Sequence, residues 1–575
     1  MCGLIGLEGN FDKDLLFSMI EMLKHRGEDS SGYYLYQDGK ISMNNDFHGE
    51  DMSLFDNDSI GDNSSFLDNK IIFNQDTEAN SGYSFALAHN LLSIFNLIGD
   101  NNEIMDNIAN NRQPIMMDNF VLVFNGEIYN FDNLVGYLKS HIDLKFKIES
   151  DGQLLIYLLK YHFLICGNLL DAVKKTVSLL DGDYSFAVFD NINRNFAVCR
   201  DQIGVKPLYY SIGNEIKAFA SEKKALWKIG FNEDDIYDLK PGSILYNWEI
   251  VDLDNTLLNK IIKLDLIDYK NKYDTYEEYL SNKKSYDLYK KLLLDELKFA
   301  VAKRVKNISD IGLIFSGGVD STILAVLLKE IAIERKKEIS EGMLTLPLNI
   351  KLFSVGKENS QDIEFSQKIA EYLNLDLKTI IIDENTVNNS VSDVLIAIED
   401  PNIMKIGVGM TIYLASKAIK EDNIKVAIAG QGADELFGGY NRYLKHFDNN
   451  SLFDAYFDLD TEIRHDIYNI HHVNLERDDA VSMACGVELR VPFLDKNVVD
   501  LALDIPAKYK ITSSKDILRK HILRDIAHDL NIPGFVADRP KKAAQYGSGI
   551  NKILKKRVLK DFDIEKFLED YKKSL

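Results

Sequence analysis

The stretch "DIGLIFSGGVDSTILAVLLKEI", residues 310–331, decides the fold of the second half of this chain. It begins as a short apolar run of the kind that forms a buried strand. Gly317 and Gly318 interrupt it, and beyond Asp320 the apolar residues recur at helical spacing. Strand, tight turn and helix make the repeating unit of a parallel sheet. The unit recurs: "IKLFSVG" (350–356) precedes "QDIEFSQKIAEYL" (361–373), and "LKTIIID" (377–383) and "NIKVAIAG" (423–430) read as further buried strands. The expected fold is a doubly wound parallel α/β sheet, with ligands beyond the carboxyl ends of its strands.

Upstream, to about Trp227, the pattern differs. "FVLVFNGEIY" (120–129), "YSFAVFD" (184–190) and "NFAVCRD" (195–201) read as strands ending in polar turns, while "DGQLLIYLLKYHFL" (151–164) has helical spacing. This mixture predicts α+β layering with antiparallel sheets. The acidic stretch 49–70 reads as a surface loop. Residues 231–285, charged and aromatic, read as a connecting region. The expected domains are therefore 2–230, 231–285 and 286–575, with no internal repeat.

A length of 575 residues implies two or three domains, and 46% hydrophobic with 27% charged residues fits a globular protein. The net charge of -22 argues against general nucleic-acid binding, which needs clustered Lys and Arg. Cys2, Cys166, Cys199 and Cys485 form no CxxC pair, so neither a zinc knuckle nor a disulfide framework is expected. A reducing cytoplasm is the expected setting. Neither a signal peptide nor a bilayer-length apolar run is read in the sequence.

"FSGGVDS" (315–321) carries the first chemistry. Its two glycines let backbone approach a phosphate, the amides opening the helix point at the anion, and Ser316 and Ser321 add hydroxyls. It lacks the GK[ST] ending of loops that transfer a γ-phosphate. "VAIAGQGADELFGGY" (426–440) follows a second strand and supplies Asp434 and Glu435. Asp320 and Asp434 together suit Mg²⁺ around a pyrophosphate. "ADRPKKAAQYGSG" (537–549) offers Lys541 and Lys542 as a cationic arm.

At the other end, "MCGLIG" places Cys2 behind the first methionine. Removal of Met1 gives that residue a thiol and a free α-amine, and an amine titrating near pH 8 can take the thiol's proton. "HRGEDSSG" (25–32) and "FNGEIYN" (124–130) are polar glycine-bearing loops. Asn125 and the Gly126 N–H suit an oxyanion. Glu127 and Asp151 suit an ammonium group.

These motifs, with "RDQIGVKPLYY", "ACGVELRVPFLDK" and "RPKKA", make the chain resemble the glutamine-hydrolysing asparagine synthetases over nearly its whole length. The resemblance implies an N-terminal-nucleophile αββα glutaminase domain and an ATP-pyrophosphatase domain, with ammonia passing between them. It implies glutamine, aspartate and ATP as substrates, Mg²⁺ as cofactor, no nucleic acid or membrane partner, and an assembly that could extend to a homodimer. Cys2 matches the nucleophile, Asn125 and Gly126 the oxyanion hole, and Glu127 and Asp151 the contacts to the glutamine amine. Leu91, Leu92, Ser93, Ile94 and Phe95 match the rest of the glutamine site. Ile314, Ser316, Gly317, Gly318, Asp320, Ser321, Val355, Ala429, Gly430 and Gln431 match the ATP site. Asp320 and Asp434 match the metal carboxylates, and Lys541 a lysine near the adenylate.

Three positions depart from the family. Leu91 stands where an Arg usually pairs with the glutamine carboxylate, with Arg112 as a substitute cation. Gln431 stands where many members carry Glu. The stretch Ile398 to Leu414 differs from the usual wall of the aspartate pocket. A ligase with another acceptor (β-lactam-synthetase-like or peptide-modifying) and a nucleotide-binding protein without turnover are the alternatives.

Overall fold

A computed structural model describes residues 2–44, 81–94, 111–143, 147–253, 275–343, 345–448, 451–540, 549–560 and 562–575. Phe95, Lys541, Lys542 and the acidic stretch 49–70 lie outside the described residues.

The first half contributes thirteen strands among the described residues: β1 (Gly3–Asp12), β2 (Ser30–Gln37), β3 (Lys40–Asn44), β4 (Ser81–Leu91), β5 (Ile115–Met117), β6 (Phe120–Ile128), β7 (Gly182–Asp190), β8 (Asn195–Arg200), β9 (Tyr209–Ile212), β10 (Ile216–Ala220), β11 (Ile236–Asp238), β12 (Ser243–Tyr246) and β13 (Glu249–Asp252). They form two sheets, ordered β11-β9-β10-β1-β4-β2-β3 and β13-β12-β8-β7-β6-β5. The paired strands are antiparallel throughout.

Period-two alternation explains the layering. Along β6, Val121 and Val123 point into a core shared with Leu4, Tyr34, Phe85 and Leu87 of the other sheet. Phe120, Leu122 and Phe124 point the opposite way, into a core with Leu154, Leu158 and Val173 of the helices α2 (Asp151–Cys166) and α3 (Leu169–Leu179). The outer face of the first sheet is covered by α1 (Lys13–Met22), through Leu16, Met19 and Ile20. The result is a helix–sheet–sheet–helix sandwich, with the Phe85 and Phe189 rings stacked 4.0 Å apart at its centre. The stretch read as a connecting region supplies β11 to one sheet and β12 and β13 to the other.

The second half is a five-stranded parallel sheet of β14 (Asp310–Ile314), β15 (Asn349–Gly356), β16 (Asp376–Ile381), β17 (Val426–Ile428) and β18 (Glu488–Arg490), in the order β16-β15-β14-β17-β18. Both faces are buried, which is why its strands read as apolar runs. Ile311 and Leu313 belong to one core with Leu324 and Leu328 of α4 (Val319–Ser340). Phe353, Val355 and Ala427 belong to the other, with Ile406 and Met410 of α5 (Ile403–Glu421). From β14 the chain runs to β15 and β16 on one side, then returns to β17 and β18 on the other. The topological switch point, where such sheets bind ligands, is therefore between β14 and β17.

Candidate functional site

Two sites emerge, one in each half. The first is an open pocket, about 500 Å³ with the space at its mouth included, lined by Cys2, Leu91, Leu92, Ser93, Ile94, Gly126, Glu127 and Asp151, with Gln113 and Phe124 behind them. Asn125 is fully buried beside it. The Cys2 backbone N donates to Asn125 Oδ1 at 2.9 Å. The other end of that amide, Nδ2, is buried and has no hydrogen-bond partner among the described residues. Such an orphan donor is costly unless a ligand takes it up. Gly126 follows at φ +153°, and a Cβ there would lie 2.2 Å from the Asp183 carbonyl oxygen. The position therefore demands glycine.

Glu127 and Asp151 face the same cavity from β6 and the first turn of α2. Burial raises the Asp151 carboxyl well above its usual range, and the Glu127 charge pushes it the same way. Glu127 is also raised, by burial, against the lowering effect of Arg490. Two carboxyls that disfavour each other's ionisation next to a cavity call for a cation between them. Asp151 keeps one satisfied oxygen, accepting from the Ile128 N–H at 2.9 Å. Burial raises the Cys2 thiol, so a base must take its proton before it can attack. Asn111 and Gln113 line the cavity; Arg112, between them in sequence, is not among the lining residues.

Three residues of the second half reach this pocket. Arg490 donates to Glu127 at 2.9 Å. Lys425 Nζ donates to the Ser93 carbonyl and to Asp29, each at 2.9 Å, while the Ser93 N–H donates to Asp29 at 2.7 Å. Asp479, on α6 (Glu476–Met483), lies 2.8 Å from Arg26, whose Nε donates to the Cys2 carbonyl at 3.2 Å. None of the partnerships between the halves was read from sequence, because each pairs residues hundreds of positions apart.

The second site sits at the switch point. The loop 315–318 leaves β14 with the Phe315 N–H donating to Phe353 O at 2.8 Å. Gly317 has φ +63°, and a Cβ on it would lie 2.7 Å from the Ser366 nitrogen. Gly318 then caps α4, and Ser316 and Ser321 face each other with 3.5 Å between their hydroxyls. Ile314, Val355, Ala429 and Gly430 stand at or just beyond the carboxyl ends of β14, β15 and β17. A Cβ on Gly430 would lie 3.4 Å from that of Asp320, so the two loops meet.

Asp320 and Asp434 come together as the sequence predicts, but around a lysine that it did not reveal. Fully buried Lys520 reaches Asp320 at 2.7 Å and Asp434 at 2.6 Å. Arg519 and Lys520 both adopt positive φ, a conformation that "LRKHILRD" does not advertise. Gln431 points away toward α6, donating to Asp478, which Arg477 holds at 2.6 Å. Asn551 was also missed. It packs over Gly407 of α5, is 5% exposed, and neither of its amide atoms has a hydrogen-bond partner among the described residues.

Asp238, His471 and Glu476 cluster between the halves with the spacing of metal ligands. The buried Arg200 guanidinium lies 3.2 Å from Glu476 and supplies the positive charge there, so the cluster is an ion-pair network. No described helix is long and apolar enough to cross a membrane.

Comparison with known proteins agrees with this division. The family described as Asparagine synthase matches residues 292–464 and 451–565, and the Glutamine amidotransferase domain matches residues 100–228. A Methanocaldococcus jannaschii protein named "Putative asparagine synthetase [glutamine-hydrolyzing] 1" is 35% identical, covering 100% of this chain and 99% of that protein. A Schizosaccharomyces pombe protein named "Probable asparagine synthetase [glutamine-hydrolyzing]" is 29% identical over 75% of this chain and 72% of its own. The Homo sapiens asparagine synthetase is 26% identical over 77% of this chain and 74% of its own.

Proposed function

The chain belongs to the glutamine-hydrolysing asparagine synthetase family, and from that premise we propose that it makes asparagine from aspartate, ATP and glutamine. Once Met1 is removed, the Cys2 nitrogen is an amine and takes the thiol's proton. The thiolate attacks the glutamine amide carbon. Asn125 Nδ2 and the Gly126 N–H receive the charge that develops on the carbonyl oxygen. Glu127 and Asp151 hold the substrate's ammonium. The Cys2 ammonium returns its proton to the departing nitrogen, ammonia leaves, and water then releases glutamate from the thioester. The orphan Asn125 amide beside Cys2 is the observation that carries this half.

In the second half the β14 and β17 loops bind ATP, and the aspartate side-chain carboxylate attacks its α-phosphorus. Pyrophosphate departs, and ammonia displaces AMP from the acyl-adenylate to give asparagine. Asp320 and Asp434 present hard carboxylate oxygens close enough to share one ammonium, a donor set that fits Mg²⁺. They would hold that ion, which when bound neutralises charge on pyrophosphate. Lys520 orients both carboxylates and is placed to meet the departing phosphates. Lys541 is assigned to the adenylate.

The test is Cys2→Ala. Glutamine-dependent asparagine formation is expected to vanish while ammonia-dependent formation persists, with AMP as the nucleotide product. ADP would refute the adenylate route. The Gly407–Asn551 contact lies in the stretch where the sequence departs from its family. It favours one second reading, a different acceptor carboxylate. ATP–pyrophosphate exchange across a panel of carboxylic acids decides between them.

A further inference from the structure

The first pocket is not built by the first half alone. Its nucleophile, its amine-binding carboxylate and its 91–94 wall are each tied to the segment running from β17 through α6 to β18. Lys425 immediately precedes β17, and its carbonyl accepts from the Glu488 N–H of β18 at 2.8 Å. Arg490 ends β18 and is braced by Glu488 at 2.7 Å. Asp479 lies on the helix that leads into β18. The same segment touches the nucleotide loop, because Gln431 donates to Asp478, the neighbour of Asp479.

Of these ties, the Asp479 contact acts most directly on the thiol-bearing residue. Arg26 is fully buried, and its charge is shared between Glu222 at 2.7 Å on its own half and Asp479 at 2.8 Å on the other. Glu222 is already engaged by Lys224 at 2.7 Å and His25 at 2.9 Å. Asp479 pairs with the same guanidinium nitrogen from the other half, and Arg26 Nε donates to the Cys2 carbonyl. A buried guanidinium that loses one of its carboxylates keeps an uncompensated charge, so its hold on the Cys2 carbonyl is expected to change.

We propose that Asp479 is a positioning residue for the thiol reaction, acting through Arg26 on Cys2, and that the Gln431–Asp478 contact lets the occupied nucleotide loop alter that position. The inference rests on the glutaminase reading above and names its control. No atom of Asp479 needs to touch glutamine. Its loss should therefore be felt in kcat and not in glutamine binding, which Glu127 and Asp151 carry.

The experiment compares full-length wild type with Asp479→Asn. Glutamine hydrolysis is expected to lose about tenfold or more in kcat, since small misplacements of a reacting group cost up to 10²-fold. KM should change little, and ammonia-dependent pyrophosphate release should stay near wild type. The rate of Cys2 alkylation by iodoacetamide, followed by intact mass, is expected to fall and to lose its response to ATP. Asp478→Asn leaves Arg26 in place, so it should keep basal hydrolysis and lose only the ATP response. Wild-type kcat and alkylation in Asp479→Asn would overturn the positioning role. A wild-type ATP response in Asp478→Asn would overturn the coupling. Alkylation reports the thiol itself, so the inference is decided even if glutamine proves not to be the substrate, an outcome that would instead sink the function.

Discussion

Replacing Asn125 by leucine separates what this side chain does for catalysis from what it does for the fold. The two are close in size, so packing is nearly conserved. The substitution removes an acceptor that holds the Cys2 nitrogen at 2.9 Å, a loss of about 1 kcal/mol for an ordinary hydrogen bond. It also removes Nδ2, a buried donor with no partner among the described residues, whose desolvation costs about 1–3 kcal/mol. These terms oppose each other, so the variant should melt within a few degrees of wild type. The kinetic effect is one-sided. Loss of one oxyanion donor costs about 10²–10³ in kcat. A coupled glutamate-release assay should show that fall with a nearly constant KM, while ammonia-dependent asparagine formation continues. A drop below about tenfold, or a large fall in melting temperature, would mean that Nδ2 does not face the developing charge.

Lys520→Met leaves Asp320 and Asp434 without their common ammonium, and breaking a buried pair costs about 3–5 kcal/mol. Differential scanning fluorimetry should show that loss, and added MgCl₂ should recover more of it in the variant than in wild type. Glu399 accepts from the Lys223 and Lys224 N–H groups, and burial pushes its carboxyl up to about 7. A raised carboxyl contributes stability below its unfolded value that is lost as pH climbs through 7. Glu399→Gln removes that slope, so its unfolding free energy relative to wild type should improve between pH 5 and pH 8, by at most about 3 kcal/mol. A flat difference would discard the assignment. Asn551→Leu removes two buried atoms that have no hydrogen-bond partner among the described residues and should raise stability by about 1–3 kcal/mol while weakening acceptor-dependent pyrophosphate exchange. Gained stability with unchanged exchange would exclude Asn551 from the acceptor site.

The layers were legible where periodicity was strong. The alternation in "FVLVFNGEIY" marks β6, and its odd and even residues enter different cores. The glycine loops were legible too, because backbone approaching backbone tolerates no side chain at Gly126 or Gly317. Residues 231–285 misled because β11, β12 and β13 are only three or four residues long, too short for a period to declare itself. Arg112 suggested a cation beside Leu91, yet its neighbours Asn111 and Gln113 are the ones that line the cavity. Lys520 escaped notice because its value lies in two aspartates brought to it from distant loops. Arg26, Asp479, Lys425 and Arg490 escaped for the same reason: long-range ion pairs leave no spacing in a single sequence.

Strand β17 has only three residues, with Lys425 at one end and Ala429 at the other. Each strand residue advances the chain by about 3.3 Å and turns the next side chain to the opposite face. A one-residue insertion or deletion here would detach Lys425 from Ser93 and swing Gln431 off Asp478 in a single event. The length of this short segment is thus a shared measuring rod: an engineer can exchange its side chains one by one, but cannot change its count without losing both chemistries together.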